Sequence, residues 1–399
     1  MASRLAKRVL QMRRLVSTTL IATLFLGFAS QPAFAAVKAG SKCTIKGEKK
    51  TSGTKTYTCT KTKGKLLWSK GAITTPNKVT PTPKPSEAVI PSEEITFANL
   101  ESNYGDVAYW AWKKSSEKIA KSEPADVKVT VLVGPNTNPI NKKPSEGVLL
   151  TSRLYADYQQ SSEFVLIYYD FKDIAWAEKY LDQYVGGQAG YDTSGEVKKM
   201  CPAVDRCNSA AALMNQRTGV GVTIITASDS QRNDPNFLSG TLEAHEYSHT
   251  IQDKQFMGRM PNNRQAPRWL TEGGAEFIQA ASVYYQSFEN YKTSRVRITE
   301  GLYSQKIFNQ TWLNKFLNPA TIGIDWSNWG SQYEGWRVYD VGYMVSEILV
   351  AIAGPNSIME IFKLMGDGLT YQESFFKVFG VEWESAIAII TKTLGNQIG

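Results

Sequence analysis

His245-Glu246-Tyr247-Ser248-His249 holds both histidines of a 399-residue chain. Residues four apart on an α-helix lie one above the other on the same face. Two imidazoles so placed can hold one Zn²⁺, with Glu246 within reach of a water at the ion. The pentapeptide alone also fits a chance match, so its surroundings decide. Upstream, Val220-Gly-Val-Thr-Ile-Ile-Thr226 reads as a strand. A polar loop follows, with Ser239 as expected N-cap for a helix through Leu242–Phe256. After a Pro-rich turn ending at Pro267, a second helix is expected from about Arg268 to Gln286.

A hydrolytic zinc site needs three protein ligands and an open fourth position. The chain has no third histidine, so the remaining ligand must be a carboxylate or a thiolate. The second helix offers one in Trp269-Leu270-Thr271-Glu272-Gly273-Gly274-Ala275-Glu276-Phe277. Glu272 lies 23 residues after His249, enough for a turn and an antiparallel return. Gly-Gly-Ala weakens a helix, and its expected benefit is close approach of two helices that each carry a carboxylate to the ion.

Together, His245-Glu246-x-x-His249 and Trp-Leu-x-Glu-Gly-x-Ala resemble the gluzincin metallopeptidases, the thermolysin-like group that includes aminopeptidase N-like enzymes. The similarity spans roughly residues 240–380. It implies a zincin-like, two-lobed α+β domain in which His245, His249 and Glu272 bind zinc and Glu246 is the general base. It further implies that Glu276 hydrogen-bonds a ligand imidazole, fixing its tautomer. Tyr339-Asp340-Val341-Gly342-Tyr343 is similar to the Tyr-x-x-Gly segment whose tyrosine donates to the oxyanion in these enzymes. Tyr339 is the expected donor and Tyr343 the second choice. One such donor is worth about 3–4 kcal/mol in the transition state. The Gly-x-Met-x-Asn stretch of the aminopeptidases does not occur, which favours an endopeptidase. By loose analogy, the strand Val220–Thr226 is expected to pair with an extended substrate backbone. Two alternatives stay open: a non-catalytic surface-binding protein on the same scaffold, and a zinc hydrolase of a non-peptide substrate.

The rest of the chain sets this domain in context. Residues 1–35 read as a signal peptide, with five basic residues, an apolar stretch from Leu15 to Phe28 and Ala33-Phe34-Ala35 for cleavage. A secreted protein is therefore expected, with cell-wall association left open. The net charge of +8 is unevenly placed. Residues 36–91 carry twelve lysines against two acids, while residues 92–399 carry 28 basic and 35 acidic residues. The Lys/Thr-rich segment 36–73 reads as a small β-module for an anionic surface such as a cell wall, and not for nucleic acid. Residues 74–92 read as a Pro-rich linker and 93–399 as the peptidase-like body. Four cysteines in an exported chain pair by position, Cys43 with Cys59 and Cys201 with Cys207. Expected body elements are a helix 98–121 with Tyr104, Val107, Trp110 and Ala111 on one side, strands 127–133 and 164–169, and a helix 173–185. From Trp336 the pattern is mostly helical. The general order, strands first and helices later, is what suggests α+β. Asp229, Asp234 and Asn236 offer oxygens suited to Ca²⁺, or ordinary turns. Trp326, Trp329, Tyr333 and Trp336 suggest core packing or a cleft lining.

Overall fold

A computed structural model describes residues 38–52, 55–70, 72–73, 91, 93–186, 192–257, 266–303, 309–317 and 332–398. The signal segment, most of the Pro-rich linker, Trp326 and Trp329 lie outside them. The chain divides into two units, Met1–Val89 and Ile90–Gly399.

In the first unit, strands β1 (Lys49–Ser52), β2 (Lys55–Thr62), β3 (Lys65–Trp68) and β4 (Ala72–Ile73) form an antiparallel sheet. Cys59 pairs in register with Trp68, and among the described residues these two are the buried apolar residues of the module. So small a core needs a covalent staple, and the Cys43–Cys59 disulfide supplies it.

The second unit mixes helices and strands. Helix α1 (Val107–Lys121) starts later than the sequence pattern suggests. Asn99 caps the preceding turn through Thr96, and Asn103 follows on the Asn99 carbonyl; such local bonds compete with helix. Val107, Trp110 and Ala111 are buried, whereas Tyr104 falls in a 3₁₀ turn and is exposed. Then come β5 (Lys128–Val133), α2 (Pro144–Leu154), β6 (Glu163–Tyr169), α3 (Ile174–Val185), α4 (Thr193–Met200), β7 (Ala210–Met214) and β8 (Gly221–Thr226). Helices therefore interleave with the strands instead of following them.

The four strands form one sheet in the order β5-β6-β8-β7, in which only β7 runs antiparallel to its neighbour. Side chains alternate across a strand. Phe164, Leu166 and Tyr168 enter the large helical core, while Val165, Ile167 and Tyr169 pack with α3 and α4. The expectation for Val220–Thr226 needs correction. Strand β8 is buried along its whole length and lies between β6 and β7, so it has no free edge for a substrate. A continuous apolar run marks an interior strand, and the edges belong to β5 and β7.

The remaining helices are α5 (Pro235–Ser239), α6 (Thr241–Phe256), α7 (Arg268–Val283), α8 (Phe288–Tyr303), α9 (Gln310–Leu317), α10 (Gln332–Ala353), α11 (Asn356–Gly366), α12 (Tyr371–Phe379) and α13 (Trp383–Ile398). The N-cap of α6 is Gly240, not Ser239. Gly240 also ends α5, and its φ of 84° is a left-handed conformation that favours glycine. Ser239 instead turns its hydroxyl to the Pro235 carbonyl and to Thr241. Among the described residues no single helix is long and apolar enough to cross a membrane.

Candidate metal centre

Helix α6 is buried on several sides. Tyr247 and Ile251, four apart, face the sheet, with the Tyr247 ring edge-on to Phe164 at 4.8 Å. The Tyr247 hydroxyl donates to Gln160 at 2.7 Å. This anchoring turns His245 and His249 toward a cavity of about 860 Å³, which is also lined by Glu246, Glu272, Glu276 and Tyr339. Helix α7 forms the facing wall. Its Trp269, Leu270, Phe277 and Ile278 enter the core, while Glu272 and Glu276, one turn apart, look into the cavity.

His245, His249 and Glu272 form a group that could hold a metal ion. The two Nε2 atoms are 3.1 Å apart, and Glu272 Oε2 lies 3.8 Å from His245 Nε2 and 3.4 Å from His249 Nε2. A tetrahedral ion with donor bonds of about 2.0–2.2 Å spaces its donors roughly 3.3–3.6 Å apart. The observed triangle brackets that value, so the donor set fits zinc in size and in chemistry.

Neighbouring groups fix how the donors present their lone pairs. Gln252 Nε2 donates to the Thr271 carbonyl at 3.2 Å, which leaves its Oε1 to accept from His249 Nδ1 at 2.9 Å. The neutral His249 ring therefore carries its proton on Nδ1 and leaves Nε2 for an ion. Glu276 Oε1 is 3.4 Å from His245 Nδ1, and its other oxygen accepts from Gln279 Nε2. Arg268 Nη2 donates to Glu272 Oε1 at 2.9 Å, turning Oε2 toward the imidazoles.

Charge follows from this geometry. Burial opposes protonation of both histidines, yet Glu272 outweighs it: the pKa of His245 is raised and that of His249 is pushed up to about 10. Burial would raise Glu272, but bonds from the two imidazoles hold its carboxyl well below the usual range. Burial raises Glu246, partly offset by His245 and His249 and by the Ala212 main chain. Burial likewise raises Glu276. Three carboxylates in one cavity, Glu246 buried and Glu272 and Glu276 partly buried, thus favour cationic charge among them.

The Tyr339 ring lies near-parallel to His245, 6.4 Å between centroids, and touches Trp336 at 5.2 Å. Burial first, and Glu272 next, raise its pKa, so the hydroxyl remains a donor at neutral pH. Tyr343, the second choice, is fully buried in the core against Phe277 and does not line the cavity. Trp336, half exposed, lines the cavity mouth instead of the core.

Gly273 does not close on the motif helix as expected. A Cβ there would stand 2.1 Å from the Gly342 carbonyl carbon, and one on Gly342 would stand 2.4 Å from the Trp269 oxygen. The close approach joins α7 to α10, the helix that carries Tyr339. The expected calcium oxygens are engaged locally. Asp229 pairs with Arg232 at 2.5 Å, Asp234 caps α5 through Asn236 N, and Asn236 Oδ1 accepts from Arg297. Among the described residues the one group that could hold a metal is His245, His249 and Glu272.

Sequence reasoning missed several contributors. Gln252 was accessible to it, since position i+3 from His249 shares its helix face. Edge strand β7, whose Ala210, Ala211 and Ala212 line the cavity, carries no such signal. Its neighbour, the Cys201–Cys207 disulfide, closes the loop leading into β7 as the cysteine spacing suggested. No family model matches the chain, and neither curated proteins nor solved structures contain a match.

Proposed function

We propose that this chain is an extracellular zinc peptidase of gluzincin type, acting as an endopeptidase. One observation carries the reading: two imidazole nitrogens and one carboxylate oxygen converge at ion-coordinating spacing, with a further carboxylate, Glu246, buried in the same cavity. Zinc is the ion that best suits two imidazoles and one carboxylate.

When bound, zinc supplies Lewis acidity that polarises a carbonyl and brings the pKa of a water near 7. Glu246, with its raised pKa, accepts the proton of the attacking water and passes it to the leaving amine. Tyr339 donates to the oxygen on which charge develops. Glu276 and Gln252 hold the two rings in the tautomer that leaves each Nε2 free. The outer edge of β7 suits main-chain pairing with an extended peptide along the cavity. The two disulfides agree with an oxidising, extracellular setting. There the lysine-rich module would contact an anionic surface such as a cell wall.

The test is Glu246→Gln. It should retain one zinc per chain by elemental analysis and lose about 10²–10⁴-fold in peptide hydrolysis. Full turnover on a peptide library by this variant would refute the general-base assignment, and zinc-loaded wild-type protein that cleaves no peptide would refute the peptidase reading.

A further inference from the structure

Two arginines line the cavity, and they differ in one respect. Arg337 is ion-paired to Asp340 at 2.9 Å. Arg297, on α8, has no carboxylate within ion-pairing distance among the described residues. Its Nη2 donates to two neutral oxygens, Asn236 Oδ1 at 3.1 Å and Ser294 Oγ at 3.2 Å, and its buried Nε finds no acceptor. A guanidinium that lines the cavity and whose described hydrogen-bond partners are both neutral keeps its charge for an anion entering that cavity.

Its position relates it to the bond-breaking centre. Asn236, which it grips, accepts from Thr241 at 3.3 Å. Thr241 starts α6, four residues or about 6 Å of helix rise before His245. Leu242 and Ile298 also line the cavity, the first next to Thr241 and the second next to Arg297, and they suit the methylenes of a side chain ending in a carboxylate.

We infer that Arg297 is a specificity-determining residue that recognises a substrate carboxylate in the cavity it shares with His245, His249 and Glu272. The carboxylate is either an acidic side chain or a free chain terminus. The inference rests on the peptidase reading. The test uses zinc-loaded protein and peptide pairs that differ only in Glu or Gln at each position flanking the cleavage site, each with a free and an amidated C-terminus. The acidic member should be preferred about 10- to 100-fold in kcat/KM, carried mainly by KM. Preference that follows Glu identifies the side chain, and preference that follows the free terminus identifies the chain end.

In Arg297→Gln the ratio should fall to near one, in Arg297→Glu it should reverse in favour of the neutral member, and in Arg297→Lys part of it should survive, which separates lost charge from lost fold. Calorimetric binding of the same pairs to Glu246→Gln protein reads recognition without turnover. The inference is overturned if wild-type protein treats the pairs alike or if Arg297→Gln keeps the ratio. Should wild-type protein hydrolyse none of the peptides, the peptidase reading fails, and equal binding of acidic and neutral peptides would then remove the Arg297 proposal independently.

Discussion

Gly273→Ala and Gly274→Ala add the same methyl group at adjacent positions of α7, yet they should act in opposite directions. At Gly273 the new carbon would meet the Gly342 carbonyl carbon at 2.1 Å and the Tyr343 nitrogen at 2.5 Å, both backbone atoms of α10 that cannot swing aside. Ordinary contact begins near 3.4 Å, so the two helices must part by about 1.3 Å along that direction. Overpacking of this kind costs about 1–3 kcal/mol. A rigid backbone on both sides puts Gly273 at the upper end, even after about 1 kcal/mol of gained helix propensity. At Gly274 the nearest atom is Ile358 Cγ2 at 3.5 Å, an ordinary contact. There the propensity gain should dominate, stabilising by up to about 1 kcal/mol.

Denaturant unfolding of both variants should therefore separate them by about 3 kcal/mol. Gly273→Ala should also lower hydrolysis by about 100-fold, because a shift near 1 Å between Glu272 on α7 and Tyr339 on α10 disturbs aligned groups. Zinc content should change little, since His245, His249 and Glu272 lie on α6 and α7. Equal stability of the two alanine variants would refute the close approach of Gly273 to Gly342. A Gly273→Ala protein that is destabilised but fully active would instead refute the claim that this contact positions Tyr339.

Two further predictions concern the centre itself. Tyr339→Phe should retain zinc and lower kcat about 10²–10³-fold with little change in KM; an unchanged kcat would remove Tyr339 from the reaction. Zinc uptake should release protons, because in the metal-free protein Glu272 holds the pKa of His249 at about 10 against the opposing effect of burial. Zinc affinity should therefore rise with pH up to about 10 and fall about tenfold per unit below it for each proton displaced. The metal-free fold responds in the opposite sense. The folded pKa exceeds the unfolded value near 6.5, so this proton stabilises the fold fully below pH 6.5, and its contribution disappears as pH rises through about 10. Calorimetry at pH 8 in buffers of different ionisation enthalpy measures the release; uptake without proton release would contradict this account.

What was legible in the sequence was local. Helix period places His245 above His249, and apolar runs mark β6 and β8 as strands. The cysteines at separations of 16 and 6 residues pair as their spacing suggests. What was hidden depended on partners distant in sequence. Ala210-Ala-Ala-Leu-Met214 lacks the β-branched residues that mark a strand, and only its antiparallel pairing with β8 makes it an edge. Gly273 advertises a close approach without naming Gly342. Arg297 reads as one more helical cation until its neighbours prove to be Asn236 and Ser294 and not a carboxylate.

The electrostatics explain why these helices carry so much buried polarity. Glu246, Glu272 and Glu276 share one cavity with two imidazoles, and Arg268 donates to Glu272. Without an ion, burial raises Glu246 and Glu276, and the positive charge must come from protons on His245 and His249. The two Nε2 atoms face one another at 3.1 Å, so protonating both rings there brings like charges together. A divalent ion supplies the same charge at the centre of the three donors, without repulsion between the rings. It follows that the metal-free protein should gain stability from zinc by mass action.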